Sequence, residues 1–290
     1  MVKDFDRYFA EHSTGSTNLD QEICLTWAQK RPSENNNGYV SRISPLRQFG
    51  KYLNNIGIEA FVLPDSFHGK VAVYIPHIFT EEELKQFFSA TDSLAYYYQS
   101  VARHLVAPVL FRLLYCCGLR PFEVRLLEKA DLNLVTGRVL IKKSKGHKER
   151  LVMIPKDLLH ICRIYAQRVT CFFPDSKFFF PNHQGGAYSA SQLRYLFDLC
   201  WSKAGIAKYD PPKPRVYDFR HTYTTYRLYR WMQEGRDLSA WLPYLSAFLG
   251  HASLSSTAYY IHLVPGAFQR MSGIDLSKFE DLIPEVSHEL

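Results

Sequence analysis

The sequence predicts a mainly α-helical fold with one small β-sheet, divided between a helical N-terminal domain and a larger C-terminal one. Three observations carry this. Apolar residues recur every three or four positions through most of the chain, the helical period. Only one stretch, between Arg138 and Ile154, alternates like paired strands. A segment punctuated by Pro64, Ser66, Gly69 and Pro76 separates two helical regions. The length of 290 residues suits two domains at ~100–200 residues each.

The elements follow in order. Residues 31–38, RPSENNNG, read as a polar loop. After it Tyr39, Ile43, Leu46, Phe49 and Leu53 form one apolar face of a helix. Arg42, Arg47 and Lys51 fall largely on its other side, where they could meet phosphates or simply face solvent. The N-terminal domain spans residues 1–63, the linker 64–78, and the second domain 79–290. That domain opens at Thr80-Glu81-Glu82-Glu83, a capping box in which Thr80 caps and Glu83 reaches back. A helical pattern from Ser100 to Cys117 stops at Gly118, and Pro121 sits where a short helix would start. Strands are expected over Arg138–Lys143 and Glu149–Ile154, around the turn Ser144-Lys145-Gly146-His147. Helices are then expected over Lys156–Val169, Ser191–Ala204, Phe219–Trp231, Trp241–Leu249 and Ser256–Ile261.

Composition sets the outer bounds. Hydrophobic residues make up 47% and charged residues 22%, enough for a packed core and too apolar for global disorder. Thirty-five basic against 28 acidic residues give a formal charge of +7, which favours a polyanion partner without naming one. The six cysteines form no C-x-x-C pair, as expected of free, mostly buried thiols in a reducing compartment. The N-terminus lacks the apolar segment of a signal peptide. No stretch reaches the ~18 apolar residues of a membrane span.

Four separated segments carry candidate chemistry. Gly118-Leu119-Arg120-Pro121-Phe122-Glu123 holds an arginine at a helix-to-helix turn. Lys143-Ser144-Lys145-Gly146-His147-Lys148-Glu149-Arg150 is a lysine-rich hairpin tip. Tyr217-Asp218-Phe219-Arg220-His221-Thr222 puts an arginine at a helix start. Leu249-Gly250-His251 is followed nine residues later by Tyr260. Singly, each reads as easily as a surface turn, a solvated hairpin, a charged first turn or a helix cap. Their joint order and spacing do not.

Together these segments resemble the tyrosine recombinase (phage integrase) family, over about Thr80 to Val264. Arg120 matches the family's arginine in a G-L-R turn, with Glu123 as the acid that follows. Lys145 matches the hairpin lysine. Arg220, His221 and Thr222 match the H-x-x-R-H-T segment, and His251 and Tyr260 complete the set. One position departs: Tyr217 stands where the family commonly has histidine. The first domain resembles the family's helical core-binding domain only in size, position and basic helices.

The resemblance implies a tyrosine-recombinase catalytic domain that cuts and rejoins DNA through a covalent 3′-phosphotyrosyl intermediate, without metal, nucleotide or other cofactor. It implies Tyr260 as nucleophile, and Arg120 and Arg220 as a clamp on the non-bridging phosphate oxygens, since guanidinium groups offer rigid paired donors and stay charged. Lys145 would protonate the leaving 5′-oxygen, with His251 and His221 as further donors or proton carriers. Tyr217 either donates a hydrogen bond to the phosphate or fills space. Lys143 and Lys148 join Arg42, Arg47 and Lys51 as candidate DNA contacts. Partners implied are double-stranded DNA carrying specific sites and a homotetramer on synapsed DNA, with accessory proteins possible. The setting implied is a bacterial mobile element acting in the cytoplasm, on the nucleoid. A type IB-like topoisomerase and a non-enzymatic DNA-binding protein of the same fold are the alternatives.

Overall fold

A computed structural model of the chain describes residues 2–13, 18–67, 75–142, 149–206 and 213–263. The chain divides between Ile75 and Pro76 into two compact units.

The first unit contains α1 (Val2–His12), α2 (Gln21–Trp27) and α3 (Asn36–Asn55). Asp20 caps α2 by accepting from the Ile23 amide, and Asn35 caps α3 by accepting from that of Gly38. Phe5, Cys24, Trp27, Tyr39, Ile43, Leu46 and Leu63 form the core. The apolar face expected on α3 is therefore its buried face, although Phe49 at its edge is exposed.

Arg42 and Arg47 require a correction. Both are buried rather than turned to solvent or phosphate. Arg42 donates through Nε and Nη2 to the Glu34 carboxylate, through Nη1 to the Trp27 carbonyl (2.6 Å) and through Nη2 to that of Gln29. Arg47 donates to the carbonyls of Leu63 (2.8 Å) and Pro64 (2.9 Å). The physical reason is that the end of α2 with the loop after it, and the chain at Leu63 and Pro64, cover more of α3 than its apolar stripe. The guanidinium groups there satisfy backbone carbonyls that would otherwise be costly to bury. Lys51 is exposed.

The second unit opens on α4 (Glu81–Asp92), where both hydrogen bonds of the Thr80–Glu83 capping box form. Then come α5 (Arg103–Cys116), α6 (Pro121–Arg125), the antiparallel strands β1 (Leu132–Asn133), β2 (Arg138–Ile141) and β3 (Arg150–Met153), and α7 (Lys156–Phe172). Next are α8 (Ala190–Ala204), α9 (Asp218–Gln233), α10 (Leu238–Leu249) and α11 (Ser255–Ala258), which runs into a 3₁₀ turn, Tyr259–His262. The expected mainly helical fold with one small sheet is what forms. No helix among the described residues is long and apolar enough to cross a membrane.

Two clusters hold this unit. The larger is built on α5, whose apolar residues face every direction, as in a helix enclosed by others. Its aromatic centre includes Phe79 against Phe219 (4.8 Å between centroids) and Phe87 edge-on to Phe111 (5.1 Å). The smaller cluster joins Leu228, Leu242, Leu245, Leu249, Tyr260 and Ile261. It packs α9, α10 and the Tyr260 turn together, and so sets where that tyrosine sits.

Candidate active site

The site forms where two glycine turns meet. At the end of α5, Gly118 adopts φ +56°, and a Cβ there would lie 2.7 Å from the Tyr223 ring. Only glycine fits both demands. The turn buries Leu119 and delivers Arg120 to the start of α6, where Pro121 occupies the first helical position. At the end of α10, Gly250 adopts φ +66°, and a Cβ there would lie 3.1 Å from Arg150. The His251 amide closes this turn on the Ser246 carbonyl at 3.0 Å.

Three arginines cap three successive carbonyls at the end of α10. Arg150 Nε donates to Phe248 (2.8 Å), Arg220 Nη2 to Leu249 (2.8 Å) and Arg120 Nη2 to Gly250 (2.6 Å). The last carbonyls of a helix have no partner within it and carry the negative end of its dipole, so cations there are stabilising. Arg220 also donates through Nη1 to the Gly118 carbonyl at 2.8 Å. Each glycine turn is thereby held by an arginine from elsewhere in the chain.

Glu123 completes the floor. Its carboxylate is fully buried and accepts four hydrogen bonds: the Arg120 amide (2.9 Å) and Nη1 (2.8 Å), and Arg150 Nη1 (2.8 Å) and Nη2 (2.7 Å). Burial alone would push its pKa up, but the arginine contacts overcome this and hold it below the usual carboxylate range.

Arg220 is fully buried, and burial lowers its pKa from the ordinary arginine value, aided by the nearby charge of Arg120. Its buried Nε has no hydrogen-bond acceptor among the described residues. Tyr260 is only 4% exposed, and burial pushes its phenol up to about 12 against the opposing pull of Arg220. Its ring stacks on His251 (6.1 Å, 10° between planes) and lies 5.4 Å from His221. His251 Nδ1 is engaged by the Thr257 hydroxyl at 2.7 Å, which leaves Nε2 for a substrate. Tyr217, 37% exposed, lies 4.9 Å from the His221 ring. Beside the site a cleft of about 700 Å³ is lined by Arg120, Arg125, Lys213, Arg215 and Tyr217 over an apolar floor that includes Phe122 and Phe197.

The structure thus brings Arg120, Arg220, His221, His251, Tyr260 and Tyr217 together. Lys143, Lys145 and Lys148 lie outside the described residues, in the segment between the last β2–β3 pair, Ile141 with Arg150. Sequence reasoning missed Arg150 and Thr257 as supports. The available signal for Arg150 was strand alternation: it shares a face with the buried Val152, an inward position where a lone arginine needs a partner.

Both site histidines are pushed from 6.5 to about 4, by burial first and then by nearby arginines. In the unfolded chain they take up protons near their reference value of about 6.5, whereas the folded protein resists until about 4. Stability is therefore lost as pH falls from about 6.5 to about 4 and is untouched by these groups above that window. The thermal midpoint should drop between pH 7 and pH 5, and the drop should shrink in His221→Gln and His251→Gln. Identical pH slopes in all three proteins would contradict the assignment.

Comparison with known proteins shows the family. The family model for the phage integrase family matches residues 77–266. The protein y4rE of Sinorhizobium fredii, named for an integrase/recombinase, is 32% identical over 229 residues, covering 78% of this chain and 72% of its own. Tyrosine recombinase XerC of Staphylococcus aureus is 30% identical over 233 residues, covering 77% and 70%. Among solved structures, XerH site-specific recombinase in a post-cleavage complex with its difH substrate shares the fold (TM-score 0.64, 19% identity, 92% of this chain and 75% of that one). The family match and these relatives make this chain a tyrosine-type recombinase. The chain belongs to the phage integrase family.

Proposed function

We propose that this protein cuts and rejoins double-stranded DNA at specific sites through a covalent 3′-phosphotyrosyl intermediate on Tyr260. The observation that carries the reading is the convergence of Arg120 and Arg220 on the carbonyls of Gly250, Leu249 and Gly118, beside the Tyr260 ring. Guanidinium groups fixed in this way are preorganised donors for the charge that builds on the non-bridging oxygens. The Tyr260 oxygen attacks phosphorus and forms the Tyr–O–P bond while the bond to the 5′-oxygen breaks. That oxygen takes a proton from Lys145. The phenol proton passes to a site histidine, both being neutral at pH 7 in the free protein. An entering phosphodiester anion offsets the arginine charge that holds them low, and so strengthens them as bases. The phosphotyrosyl bond conserves the energy of the phosphodiester, so a 5′-hydroxyl can reverse the step without nucleotide.

On this reading the first unit is the core-binding domain and Lys51 is a phosphate contact, as are Lys143 and Lys148. The protein acts as a tetramer on two synapsed sites, in the service of a bacterial mobile element. The test is to incubate the protein with a library of duplexes nicked so that cleavage becomes irreversible, and to map the detergent-resistant adduct. The expected result is an adduct on Tyr260 that forms in excess EDTA, with binding that weakens by about 0.9 log unit per log unit of salt for each phosphate neutralised. No adduct on any duplex would favour a binding protein. Relaxation of supercoils without need of two sites would favour a topoisomerase.

Tyr217 supplies a further prediction. It borders both His221 and the cleft that Arg120 lines. As a hydrogen-bond donor to the phosphate it is worth ~1.5–3 kcal/mol, so Tyr217→Phe should slow cleavage roughly 10- to 100-fold. Tyr217→His should keep substantial activity. Wild-type rates for Tyr217→Phe across pH 6–9 would leave the hydroxyl no role beyond packing.

A further inference from the structure

We propose that Arg150 is a positioning residue for strand cleavage: by occupying both oxygens of Glu123 it leaves the Arg120 guanidinium free to hold Gly250 and face the phosphate. The cleavage part rests on the function proposed above; the structural part does not.

The geometry gives the reason. Glu123 is fully buried, and its four hydrogen bonds divide evenly between Arg120 and Arg150. Arg120 commits only Nη1 of its guanidinium to this carboxylate, and Nη2 goes to Gly250. A buried carboxylate that loses one of two cations does not stay half satisfied, because an unpaired charge in a low-dielectric site is costly. It draws the remaining cation into a two-nitrogen fork, the geometry arginine favours on carboxylates. Without Arg150, the partner drawn in is Arg120. A fork on Glu123 takes a second nitrogen, so Arg120 releases Gly250 and turns from the site.

Arg150 acts on His251 as well. Its Nε holds the Phe248 carbonyl, and its Cδ and Nη1 lie 3.1 Å from where a Cβ on Gly250 would sit. One side chain on β3 therefore joins the hairpin strand, the carboxylate beneath Arg120 and the turn before His251. This is a second device besides the glycines: Gly250 leaves room for Arg150, and Arg150 fixes the turn that Gly250 makes.

The test uses Arg150→Met, which keeps the aliphatic stem and removes every donor. A crystal structure of the variant should show Arg120 Nη2 withdrawn from Gly250 and forked on Glu123. Single-turnover cleavage at saturating DNA should fall about 10- to 100-fold, the scale of a misplaced catalytic group, with DNA affinity within about threefold of wild type. Adding Glu123→Gln to Arg150→Met should recover part of the rate, because a neutral amide no longer pulls Arg120 inward. A merely structural role predicts the reverse, a double variant worse than either single one. If Arg150→Met does not fold, Arg150→Lys keeps the charge without the fork and should cleave at a reduced rate. Arg120 still on Gly250 in the variant, a double variant no faster than the single, or wild-type cleavage by Arg150→Lys would each overturn the proposal. A wild-type protein that forms no adduct with any DNA would sink the function reading instead, and the crystal structure would still decide whether Arg150 positions Arg120.

Discussion

Arg220→Ala is expected to lower strand cleavage by at least about 100-fold, the scale of losing one preorganised donor to a developing oxyanion, and to destabilise the fold. Arg220 holds the Gly118 turn with one nitrogen and the end of α10 with the other, from a fully buried position. Its loss strands two buried carbonyls at ~1–3 kcal/mol each and leaves a cavity between α9 and both turns. It also removes the cation that counters the burial of Tyr260 and favours its phenolate. Positioning, phosphate binding and nucleophile activation therefore fail together. Arg220→Lys keeps a charge but loses the planar fork, so it should rescue stability more than rate. Urea unfolding and single-turnover cleavage on the same preparations separate the two effects. Equal cleavage rates for wild type and a folded Arg220→Ala would refute the arginine clamp.

The site was legible in the sequence to the extent that its residues have local requirements. Gly118 and Gly250 are needed where the chain must take a positive φ, and Arg120, Arg220, His251 and Tyr260 follow at short fixed offsets from a turn or helix start. What holds them in place was not legible. Glu123 and Arg150 lie 27 residues apart on different elements, and Arg150 meets Phe248 across 98 residues. No local pattern encodes such pairs. The same limit explains Arg42 and Arg47: helical period shows which residues are apolar, not which polar residues a neighbouring helix will cover. Arg42 is covered from the end of α2, at Trp27 and Gln29, and Arg47 from the segment at Leu63 and Pro64, neither of which the period of α3 reveals. α10 begins at Leu238, a turn before Trp241, because Asp237 caps it. β1, at two residues, is too short to alternate.

Tyr260→Phe should abolish the covalent adduct while leaving DNA binding unchanged. The substitution removes one oxygen from a ring that packs in the smaller core cluster and stacks on His251, so the phenylalanine keeps the same contacts. The bonds that place the other groups do not run through the hydroxyl, whose own contact is with Arg220: Arg120 and Arg220 rest on carbonyls, and His251 rests on Thr257. Without a phenolic oxygen, however, no Tyr–O–P bond can form, and the neighbours offer no substitute. Tyr259, adjacent in sequence, is 40% exposed, and its ring stands at 76° to that of Tyr260. It therefore does not share the stacking of Tyr260 on His251, and Tyr259→Phe should cleave within a few-fold of wild type. The resting phenol, pushed up to about 12, is a poor nucleophile at neutral pH. Because its proton passes to a histidine already neutral at pH 7, wild-type cleavage should change little between about pH 7 and 9, up to the point where Lys145 loses its proton. Gel-resolved adducts and filter binding on one nicked duplex measure both quantities. An adduct that persists in Tyr260→Phe and maps to Tyr259 would move the nucleophile by one residue, and with it the account of the arginine-capped turn as the site of phosphate attack.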